Sequence, residues 1–420
     1  MRGWPFRTKL AAIVAAGVAL RAVYLFTIGR HVTGIGDWHF YHWQANLIAD
    51  GHGFAEPYKW RIEHRLSPSA GHPPLYPLAL AGVSALGGTG ELAHRCAGLV
   101  FGAATIALVG LLGRRVGGER TGLLAAALCA AYPLMIAVDG ALMSETLYGA
   151  LIAATLLAAY RLLDRPGARR AVLLGALVGL AALTRSEALL LLPLLALPVA
   201  FRAPRRRLAL GAAVVAACGI VIAPWAIRND VAFGRPVLIS TNDATVVAGA
   251  NCPLTYHGVN LGGWDIRCIS RRRDDNEAAQ GSIWRREGLD YARDHAARLP
   301  VVAAVRLLRV WDLWQPRRQV IFAEGRQVRV EQAGVAAWFA LAVAGVVGAV
   351  ALRRRGEPLL VLLAPAVAVS VGCVLGYGIP RLRHAFEPAV LVLAAVGLQA
   401  AASTWRARRR AASADAVPAA

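Results

Sequence analysis

Apolar residues in this chain come in long unbroken runs, and polar residues gather in the stretches between them. A helix needs roughly 20 apolar residues to cross about 30 Å of hydrocarbon. Runs near 10–29, 96–113, 121–138, 145–163, 171–184, 187–201, 208–227, 333–352, 358–377 and 385–403 meet or approach that requirement, about ten helices in all. The fifth and sixth are short, and Thr184-Arg185-Ser186-Glu187 between them predicts a tight helical hairpin. The first run follows Arg2, Arg7 and Lys9 as in a signal peptide, but no small-residue cleavage site ends it, so it reads as a retained helix. Two apolar stretches are too short to cross. Pro73 to Leu86 is opened by His72-Pro73-Pro74 and closed by Gly87-Gly88; Pro300 to Leu313 carries Arg306 and Arg309 and leads to Trp311 and Trp314. Both are expected to lie in the membrane interface.

Charge assigns the sides. With the N-terminus in the cytoplasm, the short cytoplasmic loops hold Arg114, Arg115 and Arg120; Arg161, Arg165, Arg169 and Arg170; Arg202, Arg205, Arg206 and Arg207; and Arg353, Arg354 and Arg355. The C-terminal tail adds Arg406, Arg408, Arg409 and Arg410. Basic clusters in short loops mark the cytoplasmic face. Arg271-Arg272-Arg273 falls on the other face, in a long segment where that rule has little force. Two long segments then face outward, 30–92 and 228–332. The expected organisation is a membrane module over 1–227 whose first outer loop is 30–92, an outer-face segment over 228–332, and C-terminal helices with a basic tail over 333–420.

Composition agrees. Of 420 residues, 57% are hydrophobic and 17% charged, and the mean hydropathy is +0.49. A soluble domain carries about 25% charged residues, so an ordinary soluble enzyme and a disordered chain are excluded. The net charge of +21 sits in the loop clusters rather than on a basic, aromatic-studded surface, so no nucleic-acid partner is expected. Four cysteines, Cys96, Cys129, Cys218 and Cys373, fall in predicted spans. Cys252 and Cys268 share the second outer segment, where an oxidising compartment predicts a disulfide between them.

The candidate chemistry clusters on the outer face. Gly36-Asp37-Trp38-His39-Phe40-Tyr41-His42-Trp43 sets one carboxylate among aromatics just after the first span. It reads either as a general base beside sugar- or lipid-stacking rings or as an interfacial aromatic belt with a solvated acid. Asp139 reads as an ordinary loop acid. Glu145 is either a helix-dipole acid behind a Ser144 cap or a functional carboxylate at membrane depth. Arg185 is either paired with Glu187 or Glu145, or an anion contact. Lys59, Arg61, His64, Arg65, His72, Arg228, Arg381, Arg383 and His384 would give an outer-leaflet phosphate its donors. No P-loop, zincin or Rossmann signature occurs, so energy for a reaction on this face must arrive with the substrate.

These segments resemble, in order, the bacterial family 39 glycosyltransferases of the GT-C class, which include relatives of the protein O-mannosyltransferases and lipid A aminoarabinose transferases. The matching pieces are Gly36-Asp37 through Tyr41, Ala45-Asn46-Leu47, Gly51-His52-Gly53-Phe54, His72-Pro73-Pro74-Leu75-Tyr76-Pro77 and Ser144-Glu145-Thr146-Leu147. They continue with Ala182-Leu183-Thr184-Arg185, Pro224-Trp225-Ala226-Ile227-Arg228-Asn229, Ser240-Thr241-Asn242 and Arg381-Leu382-Arg383-His384-Ala385-Phe386-Glu387-Pro388. One departure is Trp38, where the mannosyltransferases place a second acid after the first. The resemblance implies an all-α polytopic GT-C-like fold with interfacial helices and an outer-face loop domain of mixed structure. It implies transfer of a sugar, with inversion, from a polyprenyl-phosphate donor to a hydroxyl of a glycan, lipid or protein acceptor, on the outer face of a bacterial inner membrane.

In that reading Asp37 is the base and Glu145 a second carboxylate site. Lys59, Arg61, Arg185, Arg228, Arg381, Arg383 and His384 hold the donor phosphate and lipid. His39, Tyr41, His72 and Tyr76 touch substrate. A divalent metal ion is a candidate cofactor for which the sequence assigns no ligands. The rival class, a transporter or flippase of lipid-linked glycans, would need polar residues at mid-membrane and paired broken helices in two halves; Arg21 is the main intramembrane charge, and no internal repeat is present.

Overall fold

Inside hydrocarbon only the chain itself can satisfy backbone N–H and C=O groups, and the apolar runs accordingly fold as helices. The computed structural model describes residues 4–32, 36–203, 206–320 and 324–415. Arg2, Arg205 and the side chains of Arg408 and Arg410 lie outside the described set. The first half comprises α1 (Phe6–Thr27), α2 (Asp37–Ala49), α3 (Pro57–Glu63), α4 (Leu75–Ala85), α5 (Glu91–Ala131), α6 (Pro133–Gly140), α7 (Glu145–Asp164) and α8 (Ala168–Ala182). The run near 187–201 is not one α-helix. Pro193 and Pro198 each remove a backbone donor, and the stretch becomes a 3₁₀ turn at Ser186–Leu190, a π turn at Leu192–Ala196 and α9 (Leu197–Phe201).

After α10 (Arg207–Phe233), the second long segment carries α11 (Asn242–Ala250), α12 (Pro253–Tyr256), α13 (Glu277–Asp294), α14 (Leu299–Val310) and α15 (Pro316–Gln319). The chain closes with α16 (Val328–Arg354), α17 (Leu360–Leu375), a 3₁₀ stretch at Pro380–Phe386 and α18 (Glu387–Asp415). Among the described residues, six helices are long and apolar enough to cross a membrane; Leu75–Ala85, Ser186–Phe201 and Leu360–Leu375 are shorter apolar helices. Among the described residues the segment 228–332 holds helices and turns and no strand. Helix α10 runs on to Phe233 and α16 begins at Val328.

The 41-residue α5 is two antiparallel limbs. Gly118, at φ 84° and ψ −177°, breaks the helical backbone in a conformation open only to glycine without strain. Beyond it the chain folds back. A Cβ on Gly113 would lie 3.1 Å from both the Ala125 Cβ and the Gly122 Cα, whereas residues 113 and 125 of a straight helix stand about 18 Å apart. The predicted runs near 96–113 and 121–138 are therefore separate limbs joined without a loop, the second extended by α6 beyond Pro133. Small residues make this closeness possible. The same device joins α8 to α10, where a Cβ on Gly179 would fall 2.9 Å from the Val221 Cβ.

The alternating helices separate the polar parts. Arg115 at the α5 bend pairs with Asp164 and lies 3.9 Å from Glu357, and the Tyr160 hydroxyl donates to the Pro358 carbonyl. This gathers the α5, α7–α8 and α16–α17 turns, with their arginine clusters, at one end. At the other end the two long segments meet: Thr241 N–H donates to the Ala70 carbonyl at 2.9 Å, and Lys59 approaches Asp275 at 3.4 Å. Cys252 and Cys268 form a disulfide there, with Cα atoms 6.0 Å apart. In α14, Arg306 donates to the Val374 and Ala250 carbonyls and Arg309 to that of Gly378, fastening the outer segment onto the end of α17.

Asp139 is not a loop acid. It lies in α6, 2% exposed, and accepts 2.6 Å bonds from Arg21 of α1 and Thr146 of α7. Arg21 also donates to the Ala130 and Cys129 carbonyls. A buried charge must be paired to be tolerated, and this pair ties three helices together directly behind the α6–α7 turn.

Candidate active site

Asp37 opens α2 after Gly36, whose φ of 117° turns the chain into the helix. Its carboxylate accepts a 2.9 Å bond from the Arg381 guanidinium and stands 3.6 Å from His72 Nε2. One turn along α2, the Tyr41 hydroxyl lies 3.3 Å from His72 Nδ1 and donates to Ser144 Oγ at 3.3 Å. His72 is thus held between the carboxylate and the phenol. Burial pushes the Asp37 carboxyl up, but His72 and Arg381 more than offset this, leaving it below its ordinary value of 3.8. Burial lowers His72 from 6.5 against the pull of Asp37. At neutral pH the site therefore holds a carboxylate beside a neutral imidazole.

Arg381 sits at the centre. Its three guanidinium nitrogens bond Glu145, Glu324 and Asp37. Glu145 also takes a 2.9 Å contact from Arg185, which donates to Glu187 at 2.6 Å. Ser144 makes no side-chain cap of α7, contrary to the capping expectation. Its hydroxyl instead receives the Tyr41 bond and lies 3.5 Å from the Glu145 carboxylate. Glu145, 2% exposed, is anchored by Arg381 and Arg185 rather than lying as a solvated dipole partner.

These groups line a cavity of about 320 Å³. Asp37, Tyr41, His72, Arg185, Glu187, Arg381, Ser240, Asn242 and Asp243 are its polar lining. Val246 and Val247 of α11, with Ala368, Val369 and Leu375 of α17, are its apolar lining. Tyr76 packs edge-on against Tyr41 at 5.0 Å and supports the site from behind.

The other expected donors, His384 apart, are engaged elsewhere. Arg383, 1% exposed, bonds Asp312 at 2.7 Å and Glu387 at 3.0 Å and lies over the Trp338 ring. Arg228 donates to the Ser69 and Phe54 carbonyls. Lys59 faces Asp275, and Arg61 covers Trp43. His39 stacks between Trp38 and Trp43. His384 is buried against Gly149 with its Nε2 unpaired among the described residues, and it lines a small neighbouring cavity with Glu145, Glu324 and Arg381. Sequence reasoning missed Glu324, Ser240, Asn242 and Tyr377. Of these, Ser240 and Asn242 lay in a quoted motif, while Glu324 is a lone acid without a pattern around it.

Among the described residues no group of three or more His, Cys, Asp or Glu side chains could hold a metal ion. The carboxylates that converge here do so on the Arg381 guanidinium, which takes the place of a cation between them. The site as built does not fit a metal.

With this geometry in place, the chain can be compared with known proteins. Residues 71–227 match the family described as dolichyl-phosphate-mannose-protein mannosyltransferase. That stretch includes His72, Glu145 and Arg185 and lies beyond Asp37. No curated protein matches the chain. Among solved structures, the archaeal oligosaccharyltransferase AglB from Archaeoglobus fulgidus, in complex with an inhibitory peptide and a dolichol-phosphate, superposes with a TM-score of 0.56 at 18% identity, covering 99% of this chain and 52% of that one. The same enzyme in complex with Zn and sulfate gives a TM-score of 0.53 at 17% identity, covering 95% and 50%. The fold is the GT-C fold. ArnT from Cupriavidus metallidurans bound to undecaprenyl phosphate gives a TM-score of 0.45 at 18% identity, covering 93% and 78%. The chain spans about half the length of the archaeal oligosaccharyltransferase it matches.

Proposed function

We propose that this protein transfers a sugar from a polyprenyl-phosphate donor to an acceptor hydroxyl at the outer face of a bacterial inner membrane. The observation that carries the reading is one cavity whose lining combines Asp37, Arg185 and Arg381 with the apolar side chains of α11 and α17. A lipid-linked sugar phosphate offers the same two kinds of surface. The GT-C fold and the family match over 71–227 support it, and the archaeal neighbour was solved with a dolichol-phosphate.

In the reaction the acceptor oxygen attacks the anomeric carbon from the side opposite the phosphate, which inverts that centre. The O–C bond forms as the C–O(phosphate) bond breaks. The hydroxyl proton passes to Asp37, and the electron pair leaves on the phosphate. Arg381 and Arg185 stabilise that charge, a contribution strongest in a site closed to water. A carboxylate with a depressed pKa is a weak base. When Arg381 turns from Asp37 to the donor phosphate, the carboxylate loses its strongest bond and its basicity rises, so donor binding readies the base.

The test is an assay of the purified protein in bilayers with a panel of polyprenyl-phosphate sugars, read by product mass. Transfer, or slow hydrolysis to free sugar and polyprenyl phosphate, is the expected result. Facilitated movement of lipid-linked sugar across the bilayer without bond cleavage would make the chain a flippase and sink this reading.

A further inference from the structure

A second groove lies on the surface beside the reaction chamber, between the later half of α2 and α3. It encloses about 400 Å³, within the roughly 300–1,000 Å³ of sites that hold small ligands. Trp43, Leu47, Pro57 and Trp60 line it together with Asn46, Asp50, Arg61 and His64; the Arg61 guanidinium lies over the Trp43 ring, so Trp60 is the indole offered to a ligand. We propose that this groove binds a saccharide and positions the acceptor glycan; its acceptor role rests on the transferase reading above.

The chemistry of the lining points to a neutral polyol. A pyranose presents a patch of C–H groups on its faces and hydroxyls around its edge. The Trp60 indole meets the first and the charged groups meet the second. The rings are braced in advance: Tyr58 meets Trp43 edge-on at 5.3 Å, His39 lies against Trp43 at 4.9 Å, and His52 lies against Trp60 at 5.1 Å. Rigid aromatic contacts of this kind lose little conformational entropy on binding. The floor is also fixed, since the Asn46 side chain donates to the Thr89 carbonyl and accepts from Ser84.

Charge decides between a glycan and a lipid headgroup. Asp50 and Arg61 both line the groove and bring opposite charges to it. The acceptor carboxylate and the donor guanidinium together suit adjacent hydroxyls, whereas an anionic headgroup would meet Asp50 as a like charge. The groove is also tied to the site of reaction. Trp43 follows Asp37 by six residues, about 9 Å along the helix axis, and the Tyr58 hydroxyl donates to the Gly36 carbonyl at 3.2 Å.

The experiment measures binding and transfer separately on the full chain in lipid nanodiscs. Neutral di- and trisaccharides built on glucose, galactose, mannose or N-acetylglucosamine are titrated by calorimetry into wild type, Trp60→Ala and Asp50→Asn. At least one saccharide is expected to bind wild type, and each substitution should weaken it roughly tenfold or more, the scale of losing a stacked ring or a good hydrogen bond. In transfer, the same variants should raise the acceptor KM by a similar factor, keep kcat, and leave donor hydrolysis by water unchanged. If wild type binds saccharide but neither hydrolyses nor transfers, the groove stands as a saccharide site and the transferase reading falls. Equal binding by wild type and both variants overturns the proposal. So does a groove that takes no saccharide but whose Trp60 fluorescence follows the anionic-lipid content of the nanodisc, which would make it a membrane contact.

Discussion

In the proposed reaction Asp37 and Arg381 have different roles, and their variants should fail in different ways. Asp37→Asn keeps the shape of the carboxylate and removes its basicity, so turnover should fall roughly 100-fold or more, the scale of losing a general base, while donor affinity holds. Arg381→Ala should instead weaken donor binding, measured as donor KM. Arg383→Ala, two residues on, should leave donor KM alone and lower the unfolding temperature, because its loss strands Asp312 and Glu387 in the interior; removing one partner of a buried pair costs about 3–5 kcal/mol. The pH dependence follows from the same contacts. Asp37 lies below 3.8 and His72 below 6.5, so both have lost their protons by about pH 7.5. From there into mild alkali kcat/KM should be flat, and a rate that climbs steeply over that range would assign the base elsewhere. Asp37 also favours the folded state above its ordinary pKa, and that contribution is lost only as pH falls through the lower folded value. Asp37 was legible because a lone acid among aromatics after a span is conspicuous. Glu324 was not, since only the fold carries it to Arg381 across a separation of 57 residues.

At the scale of elements, hydrophobic run length located the helices well and their joints poorly. The short Ser186–Phe201 stretch was visible as a weak run, but its split into three helical types follows from Pro193 and Pro198 acting on local hydrogen bonds. The α5 bend was legible as a boundary between runs; that it uses no loop was not, because glycine pairs are common in spans and only backbone geometry shows which one turns. Gly118→Ala puts a Cβ on a backbone at φ 84°. A cost of about 1–3 kcal/mol is expected, read as a lower unfolding temperature in detergent, with the reaction rate per folded molecule unchanged. A Gly118→Ala protein as stable as wild type would show that the bend relaxes. The Ser144 cap failed for a related reason. A cap needs an extended backbone at the capping residue to turn its oxygen onto the first free N–H groups, and Ser144 is already helical at φ −59° and ψ −20°.

For the whole molecule, one-sided arginine in the loops anticipated a single basic end, and the Arg115 contacts to the α7 and α17 turns bring those loops together. Which compartment that end faces is a separate, testable matter. Single cysteines at positions 60 and 286, in a background that lacks Cys96, Cys129, Cys218 and Cys373 and keeps the Cys252–Cys268 disulfide, should react with an impermeant thiol reagent added to intact cells, and one at 408 should react only after the membrane is opened. Labelling of 408 from outside would invert the orientation. The long polar segments were recognisable as one functional face. Their assembly was not, because it depends on Arg306 and Arg309 binding main-chain carbonyls, and a carbonyl leaves no trace in residue identity.

The loopless bend of α5 has a consequence for how the protein enters its membrane during synthesis. Two limbs that turn at a single glycine have no loop between them to carry across, and in the expected orientation Arg114, Arg115 and Arg120 beside the turn stay on the side where they were made. The limbs must therefore partition as one object of doubled apolar area. A charge introduced at Ala126, costing about 2.5–3.5 kcal/mol at a helix centre, is then opposed by the lipid affinity of both limbs together, so the pair should still insert where either limb alone would be expelled.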